Sequence, residues 1–192
     1  MSTAPIDFSA VVLAGGHSRR MGTDKAALRH PRDGQSLLQH QLGLLASLEP
    51  VECFVSARHD QTLPTLTAPP PRIDDDGTAG PLGGIVGTFA QATTAHLLVI
   101  AVDLPFLDAA TLQRLRGACT ATTGAIARSP HGIEPLVAIY PRIAIDPLRH
   151  ALHAQQLGLQ RLLQAPALAP HFHLVECADA TVFRNWNAPD DL

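Results

Sequence analysis

Ser9–Lys25 reads SAVVLAGGHSRRMGTDK, and its passage from an apolar run into paired glycines and then basic side chains decides the fold. Val11, Val12 and Leu13 form an unbroken run of the kind that suits a parallel strand buried on both faces. Gly15 and Gly16 end it. Glycine tolerates positive φ and lets a ligand come close to the backbone, so successive N–H groups can converge on phosphate oxygens. Arg19, Arg20 and Lys25 add the positive charge that phosphates require. Spacing excludes two other phosphate loops, because no Gly-Lys-Ser/Thr follows the glycines and no Gly-x-Gly-x-x-Gly opens a helix.

Outward from this loop, the polar connection RHPRDGQ leads to SLLQHQLGLLASL, where Leu38, Leu42, Leu45 and Leu48 recur at helical spacing behind a capping Ser36. Val51–Ala57 predicts a second strand, and the proline- and threonine-rich stretch DQTLPTLTAPPP after it predicts a surface loop. Arg72 and Ile73 begin a short strand ending in Asp74, Asp75 and Asp76, after which the chain turns near Gly80 and Pro81 into a helix. His96–Asp103 is an apolar run stopped by a carboxylate and is the expected central strand; Asp108 caps the helix behind it. Ala125–Arg128 and Pro135–Tyr140 predict a two-stranded return, residues 144–163 helical segments interrupted near Leu157 and Gly158, and Phe172–Cys177 a late strand. Strands alternating with helical patterns argue for an α/β fold, a mostly parallel sheet covered on both faces, with ligands outside the carboxyl ends of the strands.

A chain of 192 residues with 46% hydrophobic content predicts one domain, residues 1–192, with a sizeable core. The net charge of −3 and the lack of a long basic run argue against nucleic acid or a membrane surface as partner. No stretch has the length of a membrane span and MSTAPIDFSA does not resemble a secretory signal, so the expected location is cytoplasmic. Cys53, Cys119 and Cys177 are odd in number and widely separated, which predicts buried free thiols. The ten histidines, the pairs His150/His153 and His171/His173 above all, have no cysteine or carboxylate partner that completes a zinc set at recognised spacing, and they are read as ordinary surface or partly buried side chains.

The glycine-rich stretch resembles the signature L-A-G-G-x-S-x-R-M-G-x-D-K of the molybdenum cofactor guanylyltransferases, within the nucleotidyltransferases that activate small molecules. Leu13, Ala14, Gly15, Gly16, Ser18, Arg20, Met21, Gly22, Asp24 and Lys25 match it without a gap. The resemblance implies a three-layer Rossmann-like sheet, GTP and molybdopterin cofactor as substrates, and transfer of GMP with release of pyrophosphate. The family usually has a shorter turn near Gln35, so Pro31–Gly34 reads as a small insertion.

A nucleoside triphosphate needs donors and cations for its phosphates, a selective surface for its base, and usually Mg²⁺ held by oxygen ligands. From spacing alone Asp103 is equally a metal ligand or a cap for the turn at Pro105; the resemblance of Asp103-Leu104-Pro105-Phe106 to the family's metal-binding segment favours Mg²⁺. Charge assigns Arg20 and Lys25 to the transferring phosphate, with Asp103 completing the catalytic set. The nucleotide-binding expectation covers Leu13, Ala14, Gly15, Gly16, Gly22, Lys25, Ser56, Asp74, Gly80 and Asp103. Within it, Asp74 is matched to a family aspartate that precedes the Gly80–Gly84 segment, and Ser56 stands where the family has asparagine. Asn185 and Asn187 match the closing motif F-x-N-x-N-T-P-x-D-L and are assigned to the second substrate, the alternative being a cap on the last turn. The rival readings are a cytidylyltransferase or other metabolite nucleotidyltransferase, and a non-catalytic nucleotide binder on the same fold. The oligomeric state is left open, with a monomer as the simplest expectation.

Overall fold

The computed structural model describes residues 6–15, 24–75 and 77–186. The first strand, β1 (Ser9–Leu13), is buried along its whole length because parallel neighbours flank it on both sides, β2 (Glu52–Arg58) and β4 (His96–Ala101). Its side chains alternate between faces: Ala10 and Val12 enter one apolar cluster, Val11 and Leu13 the other. β3 (Arg72–Asp75) adds to β2 in parallel. On the other side β4 pairs antiparallel with β6 (Gly132–Pro141), which forms a hairpin with β5 (Gly124–Ser129), and β7 (Phe172–Glu176) lies parallel to β5. The sheet order is β3-β2-β1-β4-β6-β5-β7, so the apolar run at β4 takes the middle position.

Helices cover both faces. On one face, Leu37, Leu38 and Leu45 of α1 (Leu37–Ala46) pack with Leu112 and Leu115 of α3 (Ala109–Ala118). The opposite face takes Leu82, Ile85 and Phe89 of α2 (Gly80–Gln91), Ile145 and Leu148 of α4 (Ile145–His153), and Leu159 and Leu163 of α5 (Leu159–Leu163). Each fully buried leucine contributes about 1.5–3 kcal/mol relative to exposure. The caps are local and sequence-encoded. Ser36 Oγ accepts from the Gln39 N–H at 3.2 Å while the Gln39 side chain accepts from the Ser36 N–H at 3.1 Å, and Asp108 Oδ1 accepts from the Thr111 N–H at 2.8 Å.

The Pro31–Gly34 segment forms a compact turn. A bridge between Arg29 and Ser36 closes it, the His30 N–H donates to Gln35 O at 2.7 Å, and Gly34 supplies the positive φ of 69°. The helical segment after Ala144 breaks between His153 and Leu159, a gap that includes the expected Leu157 and Gly158, with Gly158 as the N-cap of α5. All three cysteines are free thiols, Cys119 and Cys177 buried and Cys53 half-buried. Among the described residues no helix is long and apolar enough to cross a membrane.

Candidate active site

A cavity of about 190 Å³ opens where β1, β2, β3 and β4 end, the place at which a parallel sheet presents its ligand crevice. Leu13, Ala14 and Gly15 form one wall, Ser56 and Asp75 a second, Gly80, Pro81 and Gly84 of α2 a third, and Val102 and Asp103 a fourth. Leu136 reaches the cavity from β6, a contribution that sequence reasoning missed because it comes from the antiparallel half of the sheet.

The loop after β1 is held by its neighbours. The Ala14 N–H donates to Ser56 O at 2.8 Å and the Val102 N–H to Leu13 O at 3.1 Å, which carries the sheet ladder one step beyond the strands. Buried Gln61, within the proline-rich loop, donates through Nε2 to Ala14 O at 2.9 Å and accepts from the Arg58 N–H at 3.1 Å. Its apolar-poor surroundings in sequence gave no signal of this role. Gly15 lets the Asp75 carboxylate approach the backbone: a Cβ there would lie 2.9 Å from Asp75 Oδ2 and would require that carboxylate to move.

Lys25 opens a single 3-10 turn (Lys25–Ala27) whose cap is Asp24, accepting from the Ala26 N–H at 2.9 Å. That turn directs Lys25 Nζ to Asp103 Oδ2 at 2.7 Å, with both side chains about 20% exposed. Two residues separated by 78 positions thus form a half-buried ion pair on the cavity wall. The main chain at Asp103 is fixed as well, because the Trp186 N–H donates to Asp103 O at 2.9 Å and Gln41 Nε2 donates to Leu104 O at 2.7 Å.

The structure separates the two candidate aspartates. Asp74, expected at the nucleotide, lies outside the cavity with a half-exposed side chain that pairs with Arg72 Nε at 2.6 Å. Asp75 faces inward instead: Oδ2 accepts from Ser56 Oγ at 3.2 Å and Oδ1 from the Gly77 N–H at 2.7 Å. The reason is strand parity. Ile73 is buried under α2, and in a strand residue i+2 shares its face. Ile73 was therefore the signal in the sequence that pointed to Asp75.

Gly80 has φ of 53° and starts α2, whose N-cap residue Ala79 makes no side-chain capping bond. The first N–H groups of that helix have no intrahelical acceptor, which with the helix dipole favours an anion. Asn185 is exposed and adjoins buried Trp186, which places it beside the Asp103 backbone. Gly16, Arg20, Gly22 and Asn187 lie outside the described residues. Of the expected set, Leu13, Ala14, Gly15, Lys25, Ser56, Gly80 and Asp103 are brought together around one cavity.

The carboxylate of Asp103 suits a hard cation that takes oxygen ligands and keeps several waters, since it is a partly exposed oxygen donor on the wall of an open cavity. Its pairing with Lys25 shows that the position stabilises positive charge next to that carboxylate.

Comparison with known proteins bears on the family and on the fold. Residues 10–171 match the model of the MobA-like NTP transferase domain. The whole chain is 36% identical over 198 residues to a protein of Opitutus terrae named "Probable molybdenum cofactor guanylyltransferase", covering 96% of that protein. The fold is that of the molybdopterin-guanine dinucleotide biosynthesis protein A from Archaeoglobus fulgidus, with a TM-score of 0.70 and 22% identity over 95% of this chain and 94% of that one. It is likewise that of the Mycobacterium tuberculosis protein Rv0371C in complex with manganese, with a TM-score of 0.70 and 17% identity over 96% of this chain and 95% of that one.

Proposed function

The chain belongs to the MobA-like NTP transferase family, and from that premise we propose that it transfers GMP from GTP to the terminal phosphate of molybdopterin cofactor. An oxygen of that phosphate attacks the α-phosphorus of GTP, the bond from the α-phosphorus to the bridging oxygen breaks, and pyrophosphate leaves with the electron pair. The observation that carries the reading is the ion pair of Lys25 with Asp103 on the wall of a cavity formed by the loop after β1 and the start of α2.

Each part has a physical task. Lys25 exchanges its carboxylate partner for triphosphate oxygens and so offsets charge that the transfer concentrates there. The Gly15 backbone and the uncapped start of α2 offer N–H donors to the same oxygens, while the Ala14 N–H stays bonded to Ser56 O. Asp103 would hold Mg²⁺, which supplies further neutralisation of phosphate charge when bound. Asp75, oriented by Ser56 and the Gly77 N–H, offers a carboxylate to the paired N–H groups of a guanine edge, or to a ribose hydroxyl. A phosphate nucleophile is already anionic at neutral pH and needs no strong base, and among the described residues no histidine lines the cavity. Both substrates are highly charged, which suits a cytoplasmic reaction.

The test is thermal stabilisation by each nucleoside triphosphate with and without Mg²⁺, in the wild type and in Lys25→Ala and Asp103→Asn. GTP with Mg²⁺ at a hundredfold over its dissociation constant adds about 2.7 kcal/mol, exceeding CTP, ATP and UTP. Asp103→Asn removes the Mg²⁺ dependence and Lys25→Ala lowers turnover more than stability. Equal or stronger stabilisation by CTP overturns the guanine assignment.

A further inference from the structure

Away from the cavity, the turn closed by Arg29 and Ser36 gathers three groups that the transfer reaction does not use. His40 Nδ1 lies 2.7 Å from Asp33 Oδ2, and His30 Nδ1 lies 3.2 Å from Asp33 Oδ1. One ligand atom from each of His30, Asp33 and His40 lies within 4.8 Å of the other two. We propose that His30, Asp33 and His40 form a site for a borderline transition-metal dication, with Zn²⁺ as the natural occupant, separate from the Mg²⁺ expected at Asp103.

The hydrogen bonding around His30 carries the argument. Its ring is buried, and Nε2 is 2.9 Å from Pro105 O, a pure acceptor, so the proton sits on Nε2. This leaves the Nδ1 lone pair facing a carboxylate oxygen, an arrangement that is repulsive unless a cation or proton stands between them. The Arg32 N–H reaches that lone pair only at 3.3 Å. An imidazole whose second nitrogen donates to a backbone carbonyl is the outer-shell arrangement that orients metal-binding histidines.

Protons alone serve the cluster poorly. The two rings stack with centroids 3.6 Å apart and planes 8° from parallel, so charging both places like charges face to face. One dication replaces both protons, satisfies two lone pairs and offsets the Asp33 charge. Two imidazole nitrogens and one carboxylate suit Zn²⁺, whereas Mg²⁺ selects oxygen ligands. Three protein ligands leave a fourth position, and Asp33 and His40 line a cavity of about 340 Å³ that has room for water there. Lone pairs of parallel rings do not converge, so coordination turns the partly exposed His40 ring toward that cavity. Because His30 grips Pro105, two residues from Asp103, the bound ion ties the segment carrying Lys25 to the loop carrying Asp103.

The experiment uses the full chain, stripped with chelator and titrated with Zn²⁺ against a chromophoric chelator in excess Mg²⁺. One Zn²⁺ binds per wild-type chain. His40→Gln and Asp33→Asn, both at partly exposed positions, each weaken it by more than the roughly tenfold to hundredfold that loss of an outer partner costs. His153→Gln, on α4, leaves affinity unchanged. No Zn²⁺ binding by the wild type overturns the proposal, and so does equal affinity in the wild type, His40→Gln and Asp33→Asn. Neither outcome depends on which nucleotide the cavity takes.

Discussion

Replacing Gly84 by alanine sets two known effects against each other at the cavity wall. An alanine inside a helix is favoured over glycine by about 1 kcal/mol. At Gly84, however, the new Cβ would lie 2.6 Å from Ser56 Oγ, 2.9 Å from Leu13 Cδ2 and 3.2 Å from Ser56 Cβ. Leu13 and Ser56 are buried in adjacent strands, so neither has a free direction of retreat. Overpacking of this kind costs about 1–3 kcal/mol. If Ser56 turns its hydroxyl aside, it also gives up its bond to Asp75, and a bond to a charged group is worth about 1.5–3 kcal/mol. Overpacking less the helix preference is a loss of up to about 2 kcal/mol, or up to roughly 8 °C in Tm for a chain of this size, and more where the Ser56 bond is given up. Gly43 in α1 is the internal control, because a Cβ there meets nothing within 4 Å. Gly43→Ala therefore raises Tm by about 2–4 °C, through the helix preference alone. Urea melts and thermal scans of both variants measure the difference, with the urea m-value confirming that the unfolded state is unchanged. Stabilisation of Gly84→Ala equal to that of Gly43→Ala refutes the tight contact between α2 and the strands that shapes the cavity.

Strand parity predicts that Asp75→Asn weakens GTP binding by about tenfold to a hundredfold, the worth of one charge-assisted hydrogen bond, while Asp74→Asn leaves it unchanged; calorimetric titration separates them, and a larger loss at Asp74 reverses the assignment. Asn185→Ala lowers transfer to the second substrate with GTP affinity nearly constant, and a matching loss of GTP affinity and Tm shows that the residue only builds the last turn. Burial pushes the Cys119 thiol up to about 12 and the Cys53 thiol up to about 11. The folded state then keeps protons that the unfolded state releases, so stability is full below the ordinary thiol value of 9.0 and falls as pH rises from there toward 12. Urea midpoints measured from about pH 8 to about pH 10.5 decline accordingly, and Cys119→Ala flattens the decline; identical slopes in both proteins contradict it.

The sequence was most legible where one local rule decides the outcome. The run at Val11–Leu13 announced a doubly buried strand, Ser36 and Asp108 announced helix starts, and Gly158 announced a break. Lys25 and Asp103 were visible as charges at strand-following loops, and the fold supplied their contact across the sheet. The aspartate at β3 was harder, because three successive aspartates carry no parity of their own and only Ile73 fixes which one faces inward. Gln61 and Leu136 were out of reach: one is buried by a loop with no periodicity, and the other enters from the antiparallel hairpin. The His30–Asp33–His40 cluster arises from the turn at Pro31–Gly34, whose path depends on the bridge from Arg29 to Ser36 and not on the spacing of the histidines.

The central claim is tested most directly by incubating the protein with molybdopterin cofactor, Mg²⁺ and either GTP or CTP, and following pyrophosphate together with the dinucleotide product. The account predicts stoichiometric pyrophosphate and guanine dinucleotide from GTP, formed more slowly by Lys25→Ala and not at all in the absence of the pterin. Product from CTP in preference to GTP, or GTP binding without any pyrophosphate, contradicts it.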